Sequence, residues 1–452
     1  MSVGLSVNNA LTTNGSGMGA GIDVTTMVAE QMSVLREPET LLQQESATLS
    51  SQSTVLNQMN SELSALQSSF QSLTNFDGQF NDKSASSSDT SQLTAIADTT
   101  ASTGTHTVVI SNLATTSSYS SSLVASGDTT ISQGTFYIQV GTNSAVGVTV
   151  GSSNDTLNTL ASYINNQNLG VTASVITDSS GARLALYSQT SGAAGDLTIS
   201  SSTNTTGLSF TKGATGKDAL FTVDGISVTS SSNTITSVIP GVTLDLVGAN
   251  STTVQLSVQP DTTTAGDAVI SFVNAYNTLI SDINSQLDYN STTDTSVPVL
   301  NGDSTVQLLQ QQLYSGVSSA MSNNGSISSL ADLGVTMNDD GTLSVDSTTL
   351  VSKLASNYSD VENFFQATGS FGQNFNSTLS TLTDPTSGSL TVELNSISSQ
   401  QTDITSQIAD MEANLAVKET QLTTEYTNVD TTLEELPLIL ADISAQIGSL
   451  KG

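Results

Sequence analysis

The chain has 452 residues, with 40 Asp and Glu against 8 Lys and Arg and a formal net charge of −32, a surface that repels phosphate backbones and anionic lipid and offers no basic run for nucleic acid. Cysteine and tryptophan are absent, which excludes disulfides and thiolate metal sites. Charged residues make up only 11%, against about a quarter in ordinary soluble domains; Ser, Thr, Asn and Gln replace them, and no apolar run approaches the ~18 residues of a membrane span.

The first 14 residues carry no Lys or Arg and no long apolar core, so a cleaved secretory leader is not expected. Gly15, Gly17, Gly19 and Gly21 alternate, but Ala20 stands where the third glycine of a phosphate loop belongs, and a flexible arm is the expectation. Asp23 is placed to cap a short helix in which Val24, Val28, Met32 and Leu35 share a face. Pro38 then opens a second helix, where Leu42, Leu49, Leu56, Leu63 and Phe70 recur by sevens beside Met59, Leu66 and Leu73.

After Gly78 the period changes. Alternating segments occur at Leu93 to Ala97 and Thr105 to Leu113, then around Phe136, Ile138 and Val140 and around Val146, Val148 and Val150. A helix is expected from about Asn154 to Asn165, followed by strands Val171 to Ile176 and Arg183 to Tyr187, a ββαββ unit closing near Ile199. Residues 211 to 217 read as a glycine-punctuated link. Strands follow at Leu220 to Val223, Ile226 to Val228, Val242 to Leu246 and Val254 to Val258, with Asp224-Gly225 as a hairpin turn. Helical periodicity returns at Ala265 and persists through Leu313. A small hairpin turns at Asp339-Asp340-Gly341, a short helix covers Ser359 to Phe365, and a Gly- and Ser-rich loop leads to the last stretch.

That last stretch, Leu390 to Leu450, carries apolar residues at alternating spacings of three and four. One series holds Leu394, Ile408, Leu415, Leu422, Val429, Leu436, Ile443 and Leu450, and another Leu390, Ile397, Ile404 and Met411. Leu440 and Ile447 extend the line. This is the heptad seam of a rod roughly 90 Å long, with Pro437 expected to kink or end it. The inner part can bury its seam in an antiparallel bundle of its own chain. The outer part, namely Val24, Val28, Met32 and Leu35 with Leu415, Leu422, Val429, Leu436, Leu440, Ile443, Ile447 and Leu450, is expected to order only against neighbouring subunits. The fold class is therefore multidomain α+β, a terminal coiled-coil or helical bundle formed by both chain ends with two inserted β-rich domains.

Nothing in the sequence has the form of an active site, metal site or cofactor site. His106, the only histidine, reads as a strand residue beside Val108 and Ile110. Thr336 and Ser347 occupy the places where a calcium loop around Asp339 and Asp340 needs its first Asp and last Glu. Glu434 and Glu435 are adjacent on a helix and do not face each other.

In order along the chain, Gly21-Ile22-Asp23, Met27-Val28 and Arg36-Glu37-Pro38, the strand from Gly104 to Ala114, the run Asp218 to Gly225, Ser232 to Ile235, Gly241 to Leu244, Phe272 to Asn277, and Asp340 to Leu343 with Asp346 resemble the bacterial flagellar filament cap, or hook-associated protein 2, family. His106 and Asn112 depart from its usual Tyr and Gln, and the unit from about 135 to 200 resembles a small repeat shared with some flagellins. The resemblance implies a leg of residues 1–38 with 411–452, a helical domain of 39–75 with 265–410, and β-rich domains of 76–112 with 213–264 and of 113–212. It also implies a homo-oligomeric ring, commonly a pentamer, at the extracellular filament tip. Its partners would be flagellin, hook–filament junction proteins and an export chaperone, with type III export and neither nucleic acid nor membrane insertion. The alternative is a secreted adhesin gripping glycans or host surfaces through the β domains.

Overall fold

The computed structural model describes residues 22–200, 204–289, 296–321 and 324–449. Two compact units divide the chain: Met1–Thr74, Ala268–Lys353 and Ser359–Gly452 make one, and Asn75–Asp267 with Leu354–Tyr358 the other. The expected arm before Ile22 and Leu450 lie outside the described residues.

The chain opens with α1 (Val24–Leu35) and α2 (Glu37–Thr74). Asp23 caps α1 as expected, its Oδ1 accepting from the Thr26 amide at 3.0 Å. Where α1 meets α2, Arg36 Nη1 donates to Glu39 Oε2 at 2.9 Å, and Gln43 Nε2 to Glu39 Oε1 at 3.1 Å. Glu39, buried, thus keeps a charged partner and a neutral one, which a buried carboxylate requires. Along α2 the seven-residue spacing predicts the buried face: Leu49, Leu56, Met59, Leu63, Leu66, Phe70 and Leu73 are all buried.

The β unit follows. The strands β1 (Lys83–Ser87), β2 (Leu93–Ala97), β3 (Gly104–Asn112) and β4 (Thr116–Ser121) lead to the hairpin β5 (Gly134–Val140) and β6 (Val146–Val150). After α3 (Leu157–Asn166) come β7 (Val171–Asp178), β8 (Gly181–Ser191), β9 (Leu197–Ser200) and β10 (Phe210–Ala214), then β11 (Ala219–Val223), β12 (Ile226–Ser230), β13 (Thr234–Ile239), β14 (Val242–Leu246) and β15 (Thr253–Pro260). Two sandwiches result, each with its own core. In one, the sheet β1-β15-β3-β11-β12 faces β13-β14-β2 over Val108, Ile110, Phe221, Val254 and Leu256 against Leu93, Ile235, Val242 and Leu244. In the other, β10-β4-β8-β7 and β6-β5-β9 close with α3 over Phe136, Ile138, Leu160, Ile164, Leu184 and Leu186. The ββαββ order is present, but its two hairpins fall in different sheets.

Residues 211 to 217, read above as a link, are corrected by the structure. They include most of β10, which pairs with β4, and Gly213 sits where the register shifts between Lys212 and Ala214. The Asp224-Gly225 turn is as expected: Val223 pairs with Ile226, and Asp224 and Gly225 take φ of 50° and 79°, the left-handed pair that a two-residue hairpin demands.

The remaining elements are α4 (Thr262–Leu287), α5 (Ser304–Val317), the hairpin β16 (Val335–Met337) and β17 (Leu343–Val345), α6 (Ser347–Ser356), α7 (Tyr358–Gln366), α8 (Phe371–Leu382) and α9 (Ser389–Ser449). The periodicity running from Ala265 to Leu313 is two helices, because Asp303 caps a fresh start at α5 by accepting from the amides of Thr305 and Val306. The loop expected before the last helix contains α8, whose Phe371, Phe375, Leu379 and Leu382 are buried. Around Phe70 gather Phe272, Phe365, Phe371 and Phe375, with ring centroids 4.9 to 6.2 Å away. Phe364 stacks on Phe371 at 4.7 Å and an interplanar angle of 7°.

Pro437 neither ends α9 nor divides it: the helix continues to Ser449. Proline removes one i to i−4 hydrogen bond and its ring crowds the carbonyl of residue i−4; here that carbonyl belongs to Leu433, an exposed residue within reach of water.

Candidate partner-binding surface

Two helices from opposite ends of the sequence make the surface. α1 lies against α9, and Val28, Met32, Leu415 and Leu422 form one buried cluster with Val24, Met411 and Tyr426 packed against it. The Ile22 amide donates to Asp430 Oδ1 at 2.7 Å across 408 residues of sequence. That bond ties the residue just before the α1 cap to α9 at Asp430. Leu35, at the other end of α1, is 39% exposed and borders a shallow groove with Gln407, Met411, Asn414, Leu415 and Lys418.

From Val429 onward the seam has no cover among the described residues. Val429, Leu433, Leu436, Leu440, Ile443 and Ile447 follow at spacings of four, three, four, three and four, and each is exposed. Spacing of this kind keeps all six on one narrow stripe of the helix. Val24, Val28, Met32, Leu415 and Leu422 are therefore brought together by the fold, whereas Val429, Leu436, Leu440, Ile443 and Ile447 share a line with them and are exposed. The sequence reading missed Tyr426 and Leu433 as members of this line. Periodicity alone could have found Leu433; nothing local announces that Asp430 receives the Ile22 amide.

The other places weighed for chemistry are structural. His106 Nδ1 lies 2.7 Å from Asp224 Oδ2, and Asp224 Oδ1 accepts from the Thr107 amide at 2.8 Å. His106 first, then Thr107, holds the Asp224 carboxyl below the usual carboxylate range. The pair fastens the β11–β12 turn to β3. Asp340 Oδ1 accepts from Thr342 Oγ1 at 2.6 Å and from its amide at 3.0 Å, so its carboxylate is spent on its own turn. Among the described residues no group of three or more His, Cys, Asp or Glu could hold a metal, and no helix is long and apolar enough to cross a membrane.

Several of the residues picked out as resembling a family turn out to be backbone clamps. Asn277 Nδ2 donates to Leu343 O at 2.7 Å while its Oδ1 accepts from the Leu343 amide at 2.7 Å, joining α4 to the β16–β17 hairpin. Asn233 does the same to Ala114, at 3.0 and 2.7 Å. A side-chain amide carries a donor and an acceptor on separate atoms and so can satisfy both polar atoms of a single residue's backbone. Asp346 caps α6 through the Thr348 amide at 2.9 Å.

Comparison with known proteins supplies the context. Residues 20–117 match the profile of the flagellar hook-associated protein 2 N-terminus and residues 216–437 that of its C-terminus, while 135–190 match the flagellin hook IN motif. The B-type flagellar hook-associated protein 2 of Pseudomonas aeruginosa is 33% identical over 259 residues, 50% of this chain and 54% of that protein. The A-type protein of the same species is 28% identical over 318 residues, 63% of this chain and 66% of that one. The chain thus spans between half and two thirds of the length of these relatives. The crystal structure of the flagellar cap protein FliD D1-D2-D3 domains from Escherichia coli superposes with a TM-score of 0.54 at 26% identity, covering 76% of this chain and 99% of that one. The adhesin alternative finds no support in these matches. The chain belongs to the flagellar hook-associated protein 2 family, the flagellar cap proteins.

Proposed function

We propose that this chain is a subunit of the cap at the distal tip of a bacterial flagellar filament, and that it docks there through its terminal helix pair. The observation that supports this reading is the seam of α9, closed by α1 as far as Leu422 and open from Val429 to Ile447. Burying one Leu or Ile side chain is worth about 1.5–3 kcal/mol. Six in line can outweigh the ordering and association costs that a lone exposed leucine cannot. In this reading residues 1–38 with 411–452 act as a leg, 39–75 with 265–410 as a helical bundle domain, and the two β sandwiches as inserted domains. Copies of the chain close into a ring, a pentamer being the expected number. The ring retains exported flagellin, promotes its folding and insertion, and meets the hook–filament junction proteins before the filament grows. The chain reaches the outside by the flagellar type III route, with a chaperone holding its C-terminal helix beforehand.

The test is deletion of the gene in a motile host together with electron microscopy of the purified chain. Cells without it should lose filaments and shed flagellin into the medium, and the protein should form closed rings. Normal filaments on the deletion strain would overturn the proposal.

A further inference from the structure

Three Asn-Gly pairs occur in the chain, at residues 14–15, 301–302 and 324–325, and the fold treats the two described ones in opposite ways. Asn301 and Gly302 are both exposed, in a turn closed by the Asp303 amide donating to Leu300 O at 2.9 Å. Gly302 has φ of 80°, and nothing lies within 4 Å of where its Cβ would be. Among the described residues no hydrogen bond holds the Asn301 side chain. Asn324 is buried, and its Nδ2 donates to Ile327 O at 2.9 Å and to Asp360 O at 2.8 Å. The open side of Gly325 is filled by the Asp360 carboxylate.

We propose that Asn301 is a site of spontaneous deamidation and isoaspartate formation, and that the fold protects Asn324 from the same reaction. Glycine, lacking a side chain, leaves its own backbone nitrogen the least obstructed of all residues. The Gly302 nitrogen loses its proton to solvent base and attacks Cγ of Asn301, forming a C–N bond. The Cγ–Nδ2 bond then breaks and ammonia leaves with that proton. Water opens the resulting succinimide at either carbonyl, giving aspartate or isoaspartate; the net change is one water consumed and one ammonia released. Asn324 does not follow this course while both hydrogens of its amide are engaged by the Ile327 and Asp360 carbonyls, which hold its side chain in place. The isoaspartate product inserts a methylene into the main chain two residues before Asp303. That residue caps α5, whose Val306, Leu309 and Leu313 face the core, so the cap is displaced.

The experiment incubates the full chain at mildly alkaline pH and follows each Asn-Gly peptide by mass spectrometry, with isoaspartyl methyltransferase labelling to identify the product. In the folded protein Asn301 should lose its amide and give isoaspartate while Asn324 keeps its own; in urea both should convert. The aged protein should melt below an Asn301→Gln variant aged alongside it. An intact Asn301, equal conversion of Asn301 and Asn324 in the folded chain, or identical melting of the two aged proteins would overturn the proposal.

Discussion

The two halves of α9 carry one pattern and meet two fates. Leu390, Ile397, Ile404, Leu415 and Leu422 are all 6% exposed or less, whereas Val429, Leu436, Leu440, Ile443 and Ile447 range from 44% to 53%. Hydrophobicity and spacing do not separate them. The difference lies in what the described residues cover: α2 packs beside α9, and α1 lies against it up to the Ile22–Asp430 bond. An apolar seam in a sequence therefore reports that a partner is needed, and only the fold reports whether this chain supplies it.

Substitutions can break that contrast at several points. The largest effect belongs to Phe70→Ala, which empties the centre of the aromatic cluster; urea unfolding should show a loss of about 3–5 kcal/mol. Met32→Ala removes a buried contact from the two-helix seam. It should cost about 2 kcal/mol, read as hydrogen exchange accelerating along α1 while α2 stays protected. A smaller, pH-dependent effect belongs to Glu62. Gln58 Nε2 donates both to Glu62 Oε1 at 3.0 Å and to Asp282 Oδ2 at 2.6 Å, leaving Glu62 Oε2 shut away from solvent without a donor. Burial first, and then the neighbouring Asp282, push the Glu62 carboxyl up to about 7 from its ordinary 4.5. The folded state thus holds this proton more tightly than the unfolded chain. The resulting stability is complete below pH 4.5 and is lost as the pH rises through about 7. Glu62→Gln should flatten that slope in melting curves taken across the interval; an unchanged slope would show that the fold does not raise the Glu62 carboxyl.

The long-period features were legible from the residues, because a seam is written in spacing alone. The buried face of α2, the Asp23 cap, the Asp224-Gly225 turn and the terminal pairing of helices all follow from local pattern or chemistry. What escaped was decided elsewhere in the chain. β10 is disguised by Gly213 and Gly216, and it is a strand because β4 offers it an edge. α8 opens as Phe371-Gly372 after Gly369, a composition that suggests a loop, and it is a helix because Phe70 and Phe272 receive its rings. The roles of Asn277 and Asn233 depend on carbonyls and amides 66 and 119 residues away, beyond any local reading. Pro437 is the opposite case: an end to the helix there is expected from the local rule, and α9 runs on to Ser449.

The open half of α9 is the point on which the account stands, and it can be tested without disturbing the fold. Leu436→Ser, Leu440→Ser and Ile443→Ser combined change exposed residues only, so each should shift the unfolding free energy of the isolated chain by no more than about 0.5 kcal/mol. Introduced into a motile host in place of the native gene, the triple variant should be exported yet leave the filaments uncapped, with flagellin accumulating in the medium. Filaments of normal length on cells that export the triple variant would contradict the account.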